Sequence, residues 1–242
     1  MSVESPRYFL ALDATTRGCS VTLMQENQVL ISLSMQQERT SSAKLTLLID
    51  QAVRLADLTL SDLSGVIVGK GPGSYTGLRI AVSTAKGLCF GLDIPLYAVD
   101  SLTAMAHGAR KSMPSSFTKP ILLAPMIDAR RMEVYTALYD AATGDRVSDF
   151  EALILDETTW QSWEHTHDIW YFGDGAAKVQ TLWEHRSHVK YLKEPLAPHA
   201  ALYAELGYQK IEMSASEHLV QFEPYYLKEF FTPLPKKKVT TR

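Results

Sequence analysis

Val66-Ile-Val-Gly-Lys-Gly-Pro-Gly-Ser-Tyr-Thr-Gly-Leu-Arg79, running on to Leu92, reads as a strand, a glycine-rich turn and a helix in succession. Val66, Ile67 and Val68 are β-branched and suit the end of a buried strand. Gly69, Gly71, Pro72, Gly73 and Gly77 then break the pattern, which marks a turn needing permissive backbone. From Leu78 to Leu92 there is no proline, and the spacing predicts a helix. A glycine-rich turn between strand and helix leaves backbone N–H groups unpaired, so an anion has a place to sit. The familiar nucleotide motifs do not fit. No Lys follows Gly77 as a P-loop requires, and Gly71, Gly73 and Gly77 are too widely spaced for a dinucleotide fingerprint. Two readings stay open: a tight turn that packs a helix on a sheet, or a turn that contacts phosphate, backbone or a partner chain.

The helix has a bare stripe. Gly77, Ala81 and Ala85 recur every four residues, so another helix can approach closely there. Ile80, Val82, Leu88, Phe90 and Leu92 cover the other sides, and only Arg79 and Lys86 are charged. A helix this apolar is expected to be buried on more than one side. Upstream, Thr40, Ser41 and Ser42 offer N-caps for a helix over 43–56. Leu45, Leu48, Ala52 and Leu55 form its inward stripe, with Leu47, Ile49, Val53 and Ala56 as surplus apolar surface. The two helices together predict a four-helix interface with a related chain. Its expected contacts are Leu45, Leu48, Ile49, Ala52, Gly77, Leu78, Ala81, Ala85 and Leu88. On this reading, Arg at Ala85 leaves the monomer folded and breaks association.

The chain has 242 residues, 46% of them hydrophobic and 21% charged, as in ordinary globular proteins. A net charge of −3 argues against a domain that wraps nucleic acid by itself. No apolar run approaches ~18 residues, and Met1 to Arg7 lack the apolar segment of a signal peptide. Cys19 and Cys89 read as buried thiols of a reducing compartment, so the cytoplasm is expected.

Tyr8 to Leu12 is an apolar run ending at Asp13, followed by a turn over 14–18 and strands at Cys19–Met24 and Val29–Met35. An Asp closing a strand ahead of Thr15 and Thr16 is a phosphate-loop pattern, in which the carboxylate holds a metal-bound water. The same residues are also good local turn formers. The arrangement repeats at Ile121–Ile127, Asp128-Ala-Arg-Arg131 and Glu133–Tyr139, consistent with a duplicated domain. Asp128 would then face Asp13 across a cleft, although a salt bridge to Arg130 or Arg131 is the competing reading. Lys111 to Lys119, with Pro114, Ser115, Ser116 and Pro120, reads as the linker. The expected domains are 1–112 and 113–242.

Here a family resemblance appears. Leu10-Ala-Leu-Asp-Ala-Thr-Thr-Arg-Gly-Cys-Ser-Val21, Gly71-Pro-Gly-Ser-Tyr-Thr-Gly-Leu-Arg-Ile-Ala81, Ala85-Lys-Gly-Leu88 and Met126-Ile-Asp-Ala-Arg-Arg-Met-Glu-Val-Tyr135 resemble the TsaB family, also called YeaZ. The likeness is strong over residues 8–140 and looser beyond, where Pro224-Tyr-Tyr-Leu-Lys228 resembles the family's closing segment. It implies an α/β fold of the actin/Hsp70/sugar-kinase (ASKHA, RNase H-like) type, with two duplicated mixed-sheet domains. It also implies a non-catalytic part in making threonylcarbamoyladenosine (t6A) on tRNA, beside the catalytic paralogue TsaD and a third protein, TsaE. ATP and Mg would belong to those partners, with no cofactor required here. Asp13, Thr15, Thr16 and Asp128 would be a vestigial nucleotide site. tRNA would be met through the complex, and the chain alone would form a homodimer. Where the paralogue carries two metal-binding His, this chain has Ser101 and Met105, poor ligands for such an ion, so no metal is expected. The alternative is a stand-alone nucleotide hydrolase or metallopeptidase-like enzyme. Ser41-Ser42-Ala43 departs from the family's His-Ser-Glu-like entry to the first helix. The tail at Lys236, Lys237, Lys238 and Arg242 reads as a solvated end or as a graze on tRNA phosphate.

Overall fold

The computed structural model describes residues 5–16, 18–36, 42–113, 117, 119–193 and 197–228. Arg17, Thr40, Ser41, the linker residues Pro114, Ser115 and Ser116, and the basic tail lie outside the described residues.

The first sheet is built from β1 (Tyr8–Asp13), β2 (Gly18–Gln25), β3 (Gln28–Gln36), β4 (Leu63–Gly71) and β5 (Leu96–Asp100), in the order β3-β2-β1-β4-β5. β1, β2 and β3 pair antiparallel, whereas β4 and β5 join β1 in parallel. Parallel strands need crossovers, and α1 (Ser42–Leu55) and α2 (Tyr75–Leu92) provide them. α3 (Ser101–Lys111) leaves this sheet. The second sheet contains β6 (Ile121–Asp128), β7 (Glu133–Thr136), β9 (Glu151–Ile154), β10 (Asp168–Phe172) and β11 (Val189–Tyr191), with the two-residue β8 (Tyr139–Asp140) paired to β6. Its order is β9-β7-β6-β10-β11, with the first three antiparallel and the last two joining in parallel. That is the first sheet's topology again, so the fold is a duplicated ASKHA-type α/β architecture. The expected strand Glu133–Tyr139 is therefore two, broken at Thr136 where the chain passes from β7 to β8. The second half replaces long helices with single turns: α4 (Gln161–Glu164) and α5 (Gln180–Trp183).

β1 is apolar from Phe9 to Leu12 because the first sheet is covered on both faces. Leu10, Leu12, Val66, Val68 and Ala98 pack under α1 and α2. Phe9, Ala11, Ile67, Tyr97 and Val99 pack under α6 (Ala200–Glu212), through Ala200, Tyr203, Ala204 and Ile211. The expected domain of 113–242 is corrected by this contact. α6 returns to the first sheet because α1 and α2 shield one face only, and the second face must also be withdrawn from water. α3 lies against the second sheet through Leu102, Met105, Ala106 and Ala109.

A closing strap over residues 213–228 follows α6. Glu217 N–H donates to Leu96 O at 2.8 Å, and Phe222 is buried in the first core. Tyr225 N–H donates to Lys70 O at 2.7 Å, Tyr226 stacks on Tyr75 with centroids 4.9 Å apart, and Lys228 pairs with Glu133 of β7. The strap thus ties the glycine-rich turn to both halves.

Candidate functional site

The Asp13 carboxylate is closed in. Its Oδ1 accepts from Thr15 N–H at 3.2 Å, Thr15 Oγ1 at 2.7 Å and the Tyr203 hydroxyl at 2.8 Å. That hydroxyl also lies 3.2 Å from Ser101 Oγ. Asp13, Thr15, Ser101 and Tyr203 are all buried. Burial pushes the Asp13 carboxyl above its ordinary range, opposed by the hydrogen bonds from Thr15 and Tyr203. Burial, then the nearby Asp13 charge, pushes Tyr203 well upward. The ring fits because Gly69 faces it: a Cβ there would stand 2.6 Å from Tyr203 Cζ. Thr16, half-buried, takes no part in this cluster. Tyr203 is thus a partner of Asp13 that reading by local motif missed.

Asp128 is engaged differently. Its Oδ1 accepts from Lys178 Nζ at 2.6 Å and from Arg130 N–H at 2.6 Å, and its own N–H donates to Asp174 Oδ1 at 2.9 Å. Among the described residues Lys178 is an ion partner of Asp128, whereas the sequence reading expected the Arg130 or Arg131 side chain. Arg130 instead supplies backbone, in a turn where Arg130 and Arg131 adopt φ of 72° and 51°. Met105 is packed in the core with Ile127 and Phe172, so neither it nor Ser101 presents a free ligand atom.

The glycine-rich turn is explained by packing. A Cβ at Gly77 would lie 1.7 Å from Ala14 O, and one at Gly73 would lie 2.6 Å from Thr15 O. Ser74 N–H donates to Thr15 O at 2.7 Å, and Ser74 Oγ caps α2 by accepting from Gly77 N–H at 3.3 Å. The turn clamps the Asp13–Thr15 backbone, which favours the first of the two readings left open.

The expected interface stripe needs correction. Leu45, Leu48, Ile49, Ala52, Gly77, Leu78, Ala81 and Ala85 are buried in the chain's own core, and Leu88 is half-buried. They face the sheet because the β4–α2 turn sets the helix down with its smallest side inward. The outer side of α2 carries a second small stripe: Thr76, Ser83 and Gly87 are exposed, and so is Gly91. A Cβ at Gly87 or Gly91 meets nothing within 4 Å among the described residues. Phe90 beside them is 83% exposed, and on the adjacent α1, Leu47 and Leu55 are 49% and 67% exposed. Lys86 is drawn away from this face, donating to Val220 O at 3.1 Å and Phe222 O at 2.9 Å on the strap.

A family profile described as TsaD, tRNA N6-adenosine threonylcarbamoyltransferase, matches residues 32–239. The chain belongs to the TsaD family. Among curated TsaD-family relatives, the tRNA threonylcarbamoyladenosine biosynthesis protein TsaB of Haemophilus influenzae is 27% identical, over 92% of this chain and 94% of its own length. The TsaB proteins of Bacillus subtilis and Escherichia coli are 36% and 33% identical, but there the chain spans only 56% and 54% of the relative's length. Among solved structures, YeaZ from Pseudomonas aeruginosa superposes with a TM-score of 0.69 at 26% identity, covering 91% of this chain and all of that one. A second P. aeruginosa structure, described as similar to the peptidase YeaZ, gives 0.71 at 26% identity over 92% of this chain and 100% of its own. Among the described residues, no helix is long and apolar enough to cross a membrane.

Proposed function

We propose that the chain is a non-catalytic, activating subunit in t6A formation on tRNA, held through the outer face of α1 and α2 against a TsaD-type paralogue. One observation carries the reading. Ser83, Gly87 and Gly91 leave the outer side of α2 bare, beside the exposed apolar side chains of Phe90, Leu47 and Leu55. A monomer has no use for such a face, whereas a partner helix seats closely on small residues. The paralogue would share the fold, so a pseudo-symmetric pair burying about 1,200–2,000 Å² fits, and a second copy would use the same face in the paralogue's absence. The TsaB name of the relatives supports the pathway. TsaE is the third component in this reading, tRNA is met through the complex, and the compartment is the cytoplasm.

The chemistry is assigned to the paralogue, with ATP and Mg used by the partners. Supporting this, Ser101 is engaged by Tyr203, Met105 is core, and the Asp13 and Asp128 carboxylates are each bound by protein donors. Reconstitution tests it. The purified chain should modify no tRNA from threonylcarbamoyl-adenylate, and adding it to the paralogue should start or raise the rate. Modification by the chain alone, unchanged by the paralogue, contradicts the proposal.

A further inference from the structure

A cleft of about 340 Å³ opens where the two halves meet, lined by Lys70, Asp100, Arg146, Asp149, Phe150 and Tyr225. These residues come from the ends of β4 and β5, the loop between β8 and β9, and the strap. Arg146 sits over the Phe150 ring, its guanidinium carbon 4.1 Å from the ring centroid. Phe150 in turn leans on Tyr225, with centroids 5.8 Å apart at 53°. Tyr225 is fixed by its backbone bond to Lys70, and Lys70 Nζ stands 3.4 Å from Asp100 Oδ1. Among the described residues, neither the Arg146 guanidinium nor the Asp149 carboxylate has a hydrogen-bonding partner. The cleft therefore holds a preoriented planar donor fork, a free acceptor, a second cation and an exposed aromatic face.

We infer that this cleft binds a nucleotide unit, with its base stacked on Tyr225, its phosphate on Arg146 and Lys70, and its exocyclic amine on Asp149. A flat guanidinium offers paired N–H donors matched to phosphate oxygens. Aromatic and guanidinium planes are the surfaces on which unpaired bases stack. The free carboxylate adds a preference, because adenine presents an amine donor and uracil presents none. A site for inorganic anions alone would gain nothing from Asp149, and an apolar ligand would leave the Arg146 and Asp149 charges unsatisfied. A free mononucleotide and a single RNA strand share this chemistry.

Calorimetric titration of the full chain with AMP, UMP and a short oligoadenylate tests the inference. AMP or the oligoadenylate should bind with a Kd of about 1 mM or tighter. UMP should bind about tenfold more weakly than AMP. Binding of the oligomer without AMP identifies an RNA strand as the source, and binding of AMP identifies a free nucleotide. Arg146→Met and, independently, Asp149→Asn should each weaken binding about tenfold, while Lys190→Met, on the distant Trp170 ring, leaves it unchanged. No binding up to about 5 mM, or wild-type affinity in both cleft variants, overturns it. The partner reading is scored separately by co-elution with the paralogue, which the cleft variants should retain.

Discussion

On the inner side of α2, Gly77, Ala81 and Ala85 lie against the sheet with no exposed surface to spare; on its outer side, Thr76, Ser83, Gly87 and Gly91 face open space. Gly77, Ala81 and Ala85 repeat every four residues, as do Ser83, Gly87 and Gly91, and both stripes are made of small side chains. The inner one lets the helix sit down on Ala14 and the strands, and so belongs to folding. Among the described residues the outer glycines meet no neighbour, and two exposed glycines in a helix carry a conformational cost. A costly feature with no internal contact is where a partner is sought, so the difference separates residues of the fold from residues of association.

The contrast breaks most sharply at Ala85. Arg there would force a long charged side chain into a closed core, costing about 3–5 kcal/mol. The monomer should lose most of its thermal stability, read as a large drop in Tm by circular dichroism. A native melt would mean that α2 presents its other side to the sheet.

A smaller effect is expected at Asp13. Burial raises its folded pKa above the ordinary value, so its contribution to stability is full below about pH 4 and is lost as pH rises through the folded value. Asp13→Asn removes that dependence while keeping an acceptor for Thr15 and Tyr203. The Tm of the variant relative to wild type should therefore climb from pH 4 to pH 8. A difference that stays flat across this range contradicts the burial of an ionisable group at that position.

Much of the fold was legible because its signals are local. The strand–turn–helix at Val66–Leu92 and the repeat of strand, Asp, turn and strand fixed the duplicated architecture. Which stripe of α2 turns inward was not legible, since periodicity gives the spacing of a face and not the side on which the sheet lies. Tyr203 and Lys178 were missed for a related reason: each reaches its carboxylate from far along the chain. A signal for α6 was present nonetheless. Ala200, Ala204 and Gly207 form a small stripe, and a Cβ at Gly207 would fall 2.5 Å from Ile67 Cγ2. The glycine-rich turn attracts an anion-site reading, yet its glycines answer to the backbone of Ala14 and Thr15, a contact invisible until the two turns meet.

The smallest effect on stability and the most direct test fall on one variant, Gly87→Arg. Relieving an exposed helical glycine should leave the melt unchanged or raise stability by about 0.5–1 kcal/mol. The same side chain should block close helix approach, so the folded variant should lose co-elution with the TsaD paralogue in size-exclusion chromatography with light scattering. A folded Gly87→Arg protein that still binds the paralogue with wild-type affinity would place the interface elsewhere and contradict the account.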